Sequence, residues 1–364
     1  MAICYIKDSL RSEEFEVRVY YQILSKTKMS REIMRAIDIE NGSGPISSLF
    51  LNENVPKPTP STSQALVKIH SFGLNRMDLM QREGKYNVPS QAGKILGVEF
   101  SGVIERLGDG DVGDFKIGDE VFGLAYGGAY AEYLASSTKM LIHKPAEMPW
   151  SVAAGIPETW ITATQALHLV GCFKPGDNIL WHAGASAVSI AGIQLSKAAG
   201  ANKIFVTAGS DEKIAFCKSL GATHGFNYHT ENWVQGVLDA TDGHGADVIV
   251  DFIGKNYAQG NLEAAAMDGR IVQLASLSGY KLDGLDIGPL EKKRLRWEGS
   301  RLRSRPLEYQ GRLRDVLAES ALQKFADGTF QVPIERVFSW KDIRQAHMLM
   351  ESNQSKGKII CMVD

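Results

Sequence analysis

The sequence predicts an α/β protein in which a β-rich region precedes a doubly wound parallel sheet. Three observations predict it. Before about residue 155, brief apolar runs are broken by glycine- and aspartate-rich turns. After residue 157, continuous apolar strands alternate with segments of helical period, the pattern of a parallel sheet buried on both faces. Glycine supplies 36 of the 364 residues, a density suited to tight turns and to close approach of backbone to a ligand.

Residues 1–28 mix Asp8, Glu13, Glu14 and Glu16 with scattered apolar residues. The acidic residues argue against a mitochondrial transit peptide, and the lack of an apolar run argues against a secretory signal. This stretch is read as an N-terminal extension, either an annexed element or, preferred, the result of a start codon set upstream of Met29. From residue 29 to 155, residues 65–70 (ALVKIH) alternate, and residues 102–106 (GVIER) and 120–123 (EVFG) are short apolar runs. Turns at residues 108–111 (GDGD), 117–119 (IGD) and 127–128 (GG) separate them, as in a barrel or sandwich.

Residues 159–169 have a helical period, and the turn at 174–177 (KPGD) leads into the strand 178–182 (NILWH). A turn of small residues, 183–189 (AGASAVS), opens a helix over 190–199. Residues 203–207 (KIFVT) form the next strand and 211–220 the next helix, ended by Gly221. Residues 246–251 (ADVIVD) and 269–274 (GRIVQL) continue the sheet, and 357–362 (GKIICM) form a final strand expected to rejoin the first region. The expected division is therefore 29–155 with 297–364 as one domain, and 156–296 as an inserted second one. Two domains also suit the length, at roughly 150 residues each.

Composition removes several function classes. The 40 basic and 42 acidic residues give a formal charge of -2, without the positive footprint of a dedicated nucleic-acid binder. No run of about 18 apolar residues suggests a membrane span. Cys4, Cys172, Cys217 and Cys361 are too few and too scattered for a disulfide framework, which fits a reducing, cytoplasmic setting.

In a doubly wound sheet, the first strand-to-helix turn offers backbone N–H groups to a pyrophosphate. Here that turn carries Gly184 alone, with Ser186, Ala187 and Val188 leading into the helix. Its small residues admit a phosphate, although a packing turn would look the same in isolation. The end of the second strand says more. Sites for NAD usually place a carboxylate there for the ribose 2′-hydroxyl. This chain has Ser210, with Lys213 one turn later, both able to donate to a 2′-phosphate. Asp211 and Glu212 fit a helix start and its dipole.

Residues 74–78 (LNRMD), 97–102 (GVEFSG), 156–158 (IPE), 209–213 (GSDEK) and 226–228 (FNY) resemble the medium-chain dehydrogenase/reductase superfamily. Within it the chain is similar to the zinc-free quinone oxidoreductases related to zeta-crystallin. Residues 79–86 (LMQREGKY), 167–171 (LHLVG) and 300–305 (SRLRSR) bring it nearest the p53-inducible quinone oxidoreductase branch. The resemblance runs from about Met29 to the last strand. It implies a GroES-like catalytic domain around a Rossmann domain, with NADPH in the cleft between them. It also implies that Asn75 and Tyr86 line the nicotinamide and substrate pocket, and that Thr162 lies near the nicotinamide. Ser210, Lys213 and Tyr228 would hold the 2′-phosphate, while Phe252, Ile253, Ser276 and Leu277 would supply strand ends beside the ribose and nicotinamide. Ala187 and Ser189 depart from glycines usual in such relatives, which would push the pyrophosphate outward or tighten helix packing. Lys255 stands where a second glycine often follows Gly254.

Zinc-dependent members carry Gly-His-Glu where this chain has Gly97, Val98 and Glu99, and valine cannot ligate a metal. No metal site is expected. Without a Lewis acid, reduction of an electron-poor quinone fits better than alcohol oxidation. An enone or enoyl reductase and a non-catalytic NADPH-binding protein are the alternatives. His182 and Glu158 are expected to make structural hydrogen bonds. The basic residues 292–296 (KKRLR), with Arg301, Arg303 and Arg305, are read as a solvated helix and a cleft-facing lobe rather than a nucleic-acid surface. A homodimer through the edge of the parallel sheet is expected.

Overall fold

The computed structural model describes residues 32–364, so the expected extension at 1–28 lies outside the described residues. In chain order the elements are β1 (Ile33–Ile39), β2 (Leu49–Pro56), β3 (Gln64–Gly73), α1 (Arg76–Arg82), β4 (Glu99–Leu107), β5 (Glu120–Leu124), β6 (Tyr133–Ser137), β7 (Leu141–His143), α2 (Trp150–Ala154) and α3 (Pro157–Thr164). Then follow β8 (Asn178–Trp181), α4 (Ala187–Ala198), β9 (Lys203–Ala208), α5 (Asp211–Ser219), β10 (His224–Asn227), α6 (Trp233–Ala240), β11 (Ala246–Asp251), α7 (Ala258–Ala264) and β12 (Ala265–Gln273). The chain continues through α8 (Gly288–Lys292), β13 (Arg296–Gly299), α9 (Leu307–Ala326), β14 (Ile334–Ser339), α10 (Ile343–Glu351) and β15 (Lys358–Met362).

Two large sheets organise most of these elements, and β1 and β2 pair in a separate two-stranded one. The first has the order β14-β15-β3-β4-β5-β7, with β6 also paired to β3. Its last-made strand, β15, runs antiparallel to β3, opposing Ile360 to Gly73 and Cys361 to Phe72. A core including Phe72, Phe100, Tyr130 and Trp340 fills it. The second sheet is parallel, in the order β10-β9-β8-β11-β12-β13. The chain therefore reverses direction across the sheet between β8 and β11, and such a reversal opens a crevice at the carboxyl ends of the strands. Strand β13 completes this sheet, so the expected boundary after residue 296 falls inside a strand.

The strands of the second sheet are apolar on both faces because helices cover both sides. Ile179, Leu180, Val206, Val248, Ile249 and Val250 are all buried. Helix α4 crosses β8 at one unusually close point. A Cβ on Gly192 would lie 2.3 Å from the Trp181 ring, whose Nε1 donates to Ser196 Oγ at 3.1 Å. Gly192→Ala is therefore expected to cost about 1–3 kcal/mol of stability by overpacking. Denaturant unfolding of the variant, compared with Ala191→Gly on the same helix, measures it.

Candidate functional site

The first candidate region is built where α1 begins. The Asp78 N–H donates to the Asn75 carbonyl at 2.9 Å, and the Asn75 N–H donates to Asp78 Oδ2 at 2.8 Å, so the turn is closed from both sides. Asn75 then reaches inward, its Nδ2 donating to Glu99 Oε1 at 2.8 Å. Lys358, the first residue of β15, donates to Asn75 Oδ1 at 3.1 Å and to the Leu74 carbonyl at 3.0 Å. It also forms a fully buried ion pair with Glu99. The second Glu99 oxygen accepts the Glu158 N–H at 2.9 Å, in the first turn of α3. One carboxylate thus ties together α1, α3, β4 and β15.

Around this knot lie two further buried carboxyls. Burial pushes Asp78 up to about 6, although the Asn75 backbone bond opposes the shift. Burial, and then the adjacent Glu99 charge, push Glu158 up to about 8. Two carboxyl groups close together in a dry site cannot both ionise cheaply, and Glu158 is the one pushed up. Tyr130 donates to Asp78 Oδ2 at 3.2 Å and meets His347 Nε2 at 3.4 Å, which closes the back of the cluster.

Arg303 covers the same cluster from the segment after β13. Its Nε donates to the Tyr126 carbonyl at 2.7 Å and its Nη1 to Gln81 Oε1 at 2.8 Å. The guanidinium lies 5.3 Å from the centre of the Tyr86 ring. Burial raises the Tyr86 hydroxyl above its usual range, and the Glu158 charge adds to that. On α3, Thr162 Oγ1 is buried and has no hydrogen-bond partner among the described residues.

The second candidate region is formed by the strand ends of the parallel sheet. Ser186 caps α4 by accepting the Ser189 N–H at 3.3 Å, and Ala187 and Val188 occupy the first turn. Ser189 Oγ donates to the His182 carbonyl at 2.8 Å, so its hydroxymethyl group faces β8 and tightens helix packing. Of the two consequences expected for that departure, this is the inward one. Ser210 caps α5 by accepting the Lys213 N–H at 3.3 Å, and Lys213 Nζ donates to the Asn353 carbonyl at 2.6 Å. Tyr228 follows β10, and its hydroxyl stands beside Gly209, where a Cβ would come within 2.6 Å. Asp211 accepts from Asn227 at 3.1 Å and Glu212 pairs with Lys356 at 2.5 Å, so both carboxylates are engaged away from that corner. Beyond β11 and β12 the two loops are joined by main chain, Leu277 N–H to the Phe252 carbonyl at 3.0 Å and Ser278 N–H to the Ile253 carbonyl at 2.8 Å. Ser276 lies in the same loop, with Gly254 packed against its Cβ.

Several expectations change in detail. Glu158 contributes its backbone N–H to structure, but its carboxyl makes no hydrogen bond to any described residue, contrary to the structural role expected for it. Asn75 faces the cleft with one amide hydrogen uncommitted, because the rest of its amide is bound to Glu99 and Lys358. His182 behaves as expected, held by Thr207 at 2.9 Å and Asn261 at 2.8 Å. The basic run is dispersed: Lys293 caps carbonyls at the end of α7, Arg294 pairs with Asp268, and Arg303 is buried in the cleft. Lys358 escapes sequence reasoning, since a lysine opening a terminal strand carries no motif of its own.

The parallel sheet with its reversal and the β-rich sheet closed by β15 are matched by known families. Residues 61–146 match the alcohol dehydrogenase GroES-like domain, and residues 187–319 match the zinc-binding dehydrogenase family. The quinone oxidoreductase of Coxiella burnetii is 30% identical and superposes with a TM-score of 0.74 over 92% of this chain and 100% of its own. The chain belongs to the medium-chain dehydrogenase/reductase superfamily. The pig quinone oxidoreductase is 28% identical over 70% of this chain and 77% of its own length. A phenolphthiocerol/phthiocerol polyketide synthase of Mycobacterium tuberculosis is 27% identical over 88% of this chain, which spans 14% of that much longer protein. Membership makes the chain an oxidoreductase of the nicotinamide-dinucleotide type.

The donor set of this dehydrogenase/reductase does not fit the zinc that one family description implies. Val98 offers hydrocarbon, both Glu99 oxygens are engaged, and among the described residues no three His, Cys, Asp or Glu side chains converge. A dinucleotide fits better. Ser186 and the α4 N-terminus offer N–H groups, Thr162 offers an unused hydroxyl, and Ser210, Lys213 and Tyr228 share one corner. No helix among the described residues is long and apolar enough to cross a membrane.

Proposed function

We propose that the chain is an NADPH-dependent, zinc-independent reductase of quinones, acting between a catalytic domain (29–155 with 300–364) and a dinucleotide-binding domain (156–299, which keeps β13 with its sheet). The observation that carries this reading is the Glu99–Lys358–Asn75 knot, a closed ion pair next to Val98, the residue that stands where the resemblance puts a metal-binding histidine. Such a site can orient an acceptor and exclude water but cannot polarise an alcohol. Ser210, Lys213 and Tyr228 would bind the 2′-phosphate, Ser186 to Val188 the pyrophosphate, and Phe252, Ile253, Ser276 and Leu277 the ribose side. When bound, NADPH supplies the hydride; Thr162 and Asn75 orient the reacting end, and Tyr86 walls the acceptor. A homodimer through the open edge at β13 and a cytoplasmic setting complete the proposal.

Two measurements test cofactor and acceptor. Lys213→Ala removes one charge-assisted contact, so NADPH affinity is expected to fall by roughly 1.5–3 kcal/mol while NADH affinity holds. Equal wild-type affinities for the two cofactors would refute the choice of NADPH. A screen of NADPH oxidation against ortho-quinones, para-quinones, enones and enoyl thioesters, repeated with a chelator, tests the reaction. Quinone turnover indifferent to chelation is expected, and Tyr86→Phe should lower it by no more than about 10²-fold. The second reading is an enoyl reductase, favoured by the similarity to the polyketide synthase. Turnover confined to enones or enoyl thioesters would select it.

A further inference from the structure

Two ionisable side chains near Tyr86 keep polar atoms without a hydrogen-bond partner among the described residues. Arg303 is 3% exposed and is anchored through Nε and Nη1, yet its buried Nη2 has no hydrogen-bond partner among the described residues. Glu158 is 6% exposed and its carboxyl is unbonded among those residues. The two are electrostatic neighbours, since the guanidinium favours the Glu158 carboxylate, but they form no ion pair. An arginine and a carboxyl buried within each other's field would ordinarily close on each other. Arg303 is prevented by its two anchors, and α3 is held in place by the bond from the Glu158 N–H to Glu99. Gly127 lets the main chain pass close to Nη2, since a Cβ there would stand 3.3 Å from that nitrogen. The Tyr86 ring faces the same guanidinium, its centre 5.3 Å from Arg303 Cζ.

We propose that Arg303 and Glu158 bracket the carbonyl oxygen of a planar conjugated acceptor, Arg303 stabilising the oxyanion and Glu158 donating the proton. This rests on the reductase reading above. The electron-poor end of the acceptor would take up the hydride that bound NADPH supplies, the acceptor being reduced and NADPH oxidised to NADP⁺. The displaced π pair settles on the carbonyl oxygen, where Nη2 donates a hydrogen bond. That oxygen then forms a bond to hydrogen as the Glu158 O–H bond breaks, and the resulting carboxylate, beside Arg303, regains its proton from solvent. The groups facing Glu158 set its readiness to donate. Burial, then Glu99 on β4 and Asp78 on α1, keep it protonated, while Arg303 and Lys358 of β15 limit how far, and Tyr86 stands alongside. An acid poised near neutral pH in a dry cleft is the form a proton donor takes.

para-Nitrophenol tests the arginine without cofactor or turnover, because its phenolate is coloured and mimics the oxyanion. Wild type is expected to favour the bound phenolate over the phenol at least tenfold more than water does. Arg303→Gln should abolish that preference, and Arg303→Lys should retain part of it, with near-ultraviolet circular dichroism checking that each variant is folded. An equal preference in wild type and Arg303→Gln would overturn the oxyanion role. For the proton, the pH profile of quinone or enone reduction should fall on the alkaline side in wild type. Glu158→Gln should lose that limb and at least tenfold in kcat, with NADPH affinity unchanged. An alkaline limb that persists in Glu158→Gln would overturn the donor role. Absence of NADPH oxidation by wild type with every acceptor would instead refute the reductase reading, an outcome the nitrophenol titration does not depend on.

Discussion

Replacing Lys358 with methionine is expected to destabilise the protein by about 3–5 kcal/mol, the range for removing one partner of a buried ion pair. The loss comes from stranding Glu99, which is wholly buried and keeps only Asn75 and the Glu158 N–H as partners. The double variant Glu99→Gln, Lys358→Met should recover most of that stability, since it removes the unpaired charge along with its partner. Urea unfolding of both variants and of wild type makes the comparison. If Lys358→Met unfolded at the wild-type midpoint, the ion pair would not be what holds β15 to α1 and β4.

The second large effect concerns Glu158 and pH. Its native carboxyl sits at about 8, raised first by burial and then by Glu99, against an ordinary value of 4.5. Between those values the native state binds a proton that the unfolded chain releases, so stability falls as pH rises through that window and levels off above about 8. Each tenfold change in the proton equilibrium is worth roughly 1.4 kcal/mol, so the contribution lost by pH 8 is on the order of 2–4 kcal/mol. Glu158→Gln should therefore unfold later than wild type at pH 8 and much the same at pH 5. Stability measured by urea at those two pH values decides it. A difference of equal size at both would mean that the carboxyl is not titrating in the folded protein.

Fold and site are legible in the sequence to different degrees, and for physical reasons. Strands such as 178–182 and 246–251 show because burial on both faces demands unbroken apolar runs. Ser210 and Lys213 can be picked out as candidates because a strand tip without a carboxylate is informative in a doubly wound sheet. The substrate end is harder to see. Glu99 stands out only beside the absent metal ligand, since pairing with a lysine at 358 leaves no local periodicity or spacing. Arg303 falls in with a basic run because linear charge density does not distinguish a solvated arginine from one clamped by Tyr126 and Gln81. The structural bond expected of Glu158 is one that its main chain makes and its side chain does not.

The pairing of Glu99 with Lys358 also has a consequence for how the molecule is made. The two residues are 259 positions apart. At translation rates of about 5–20 residues per second, Glu99 waits roughly 10–50 s on the ribosome before its cation exists. The whole parallel sheet is synthesised during that wait, whereas the first sheet lacks β14 and β15 until it ends. The inserted sheet can complete itself in the nascent chain, while the flanking one must remain open, or shielded by a chaperone, until the late strands arrive.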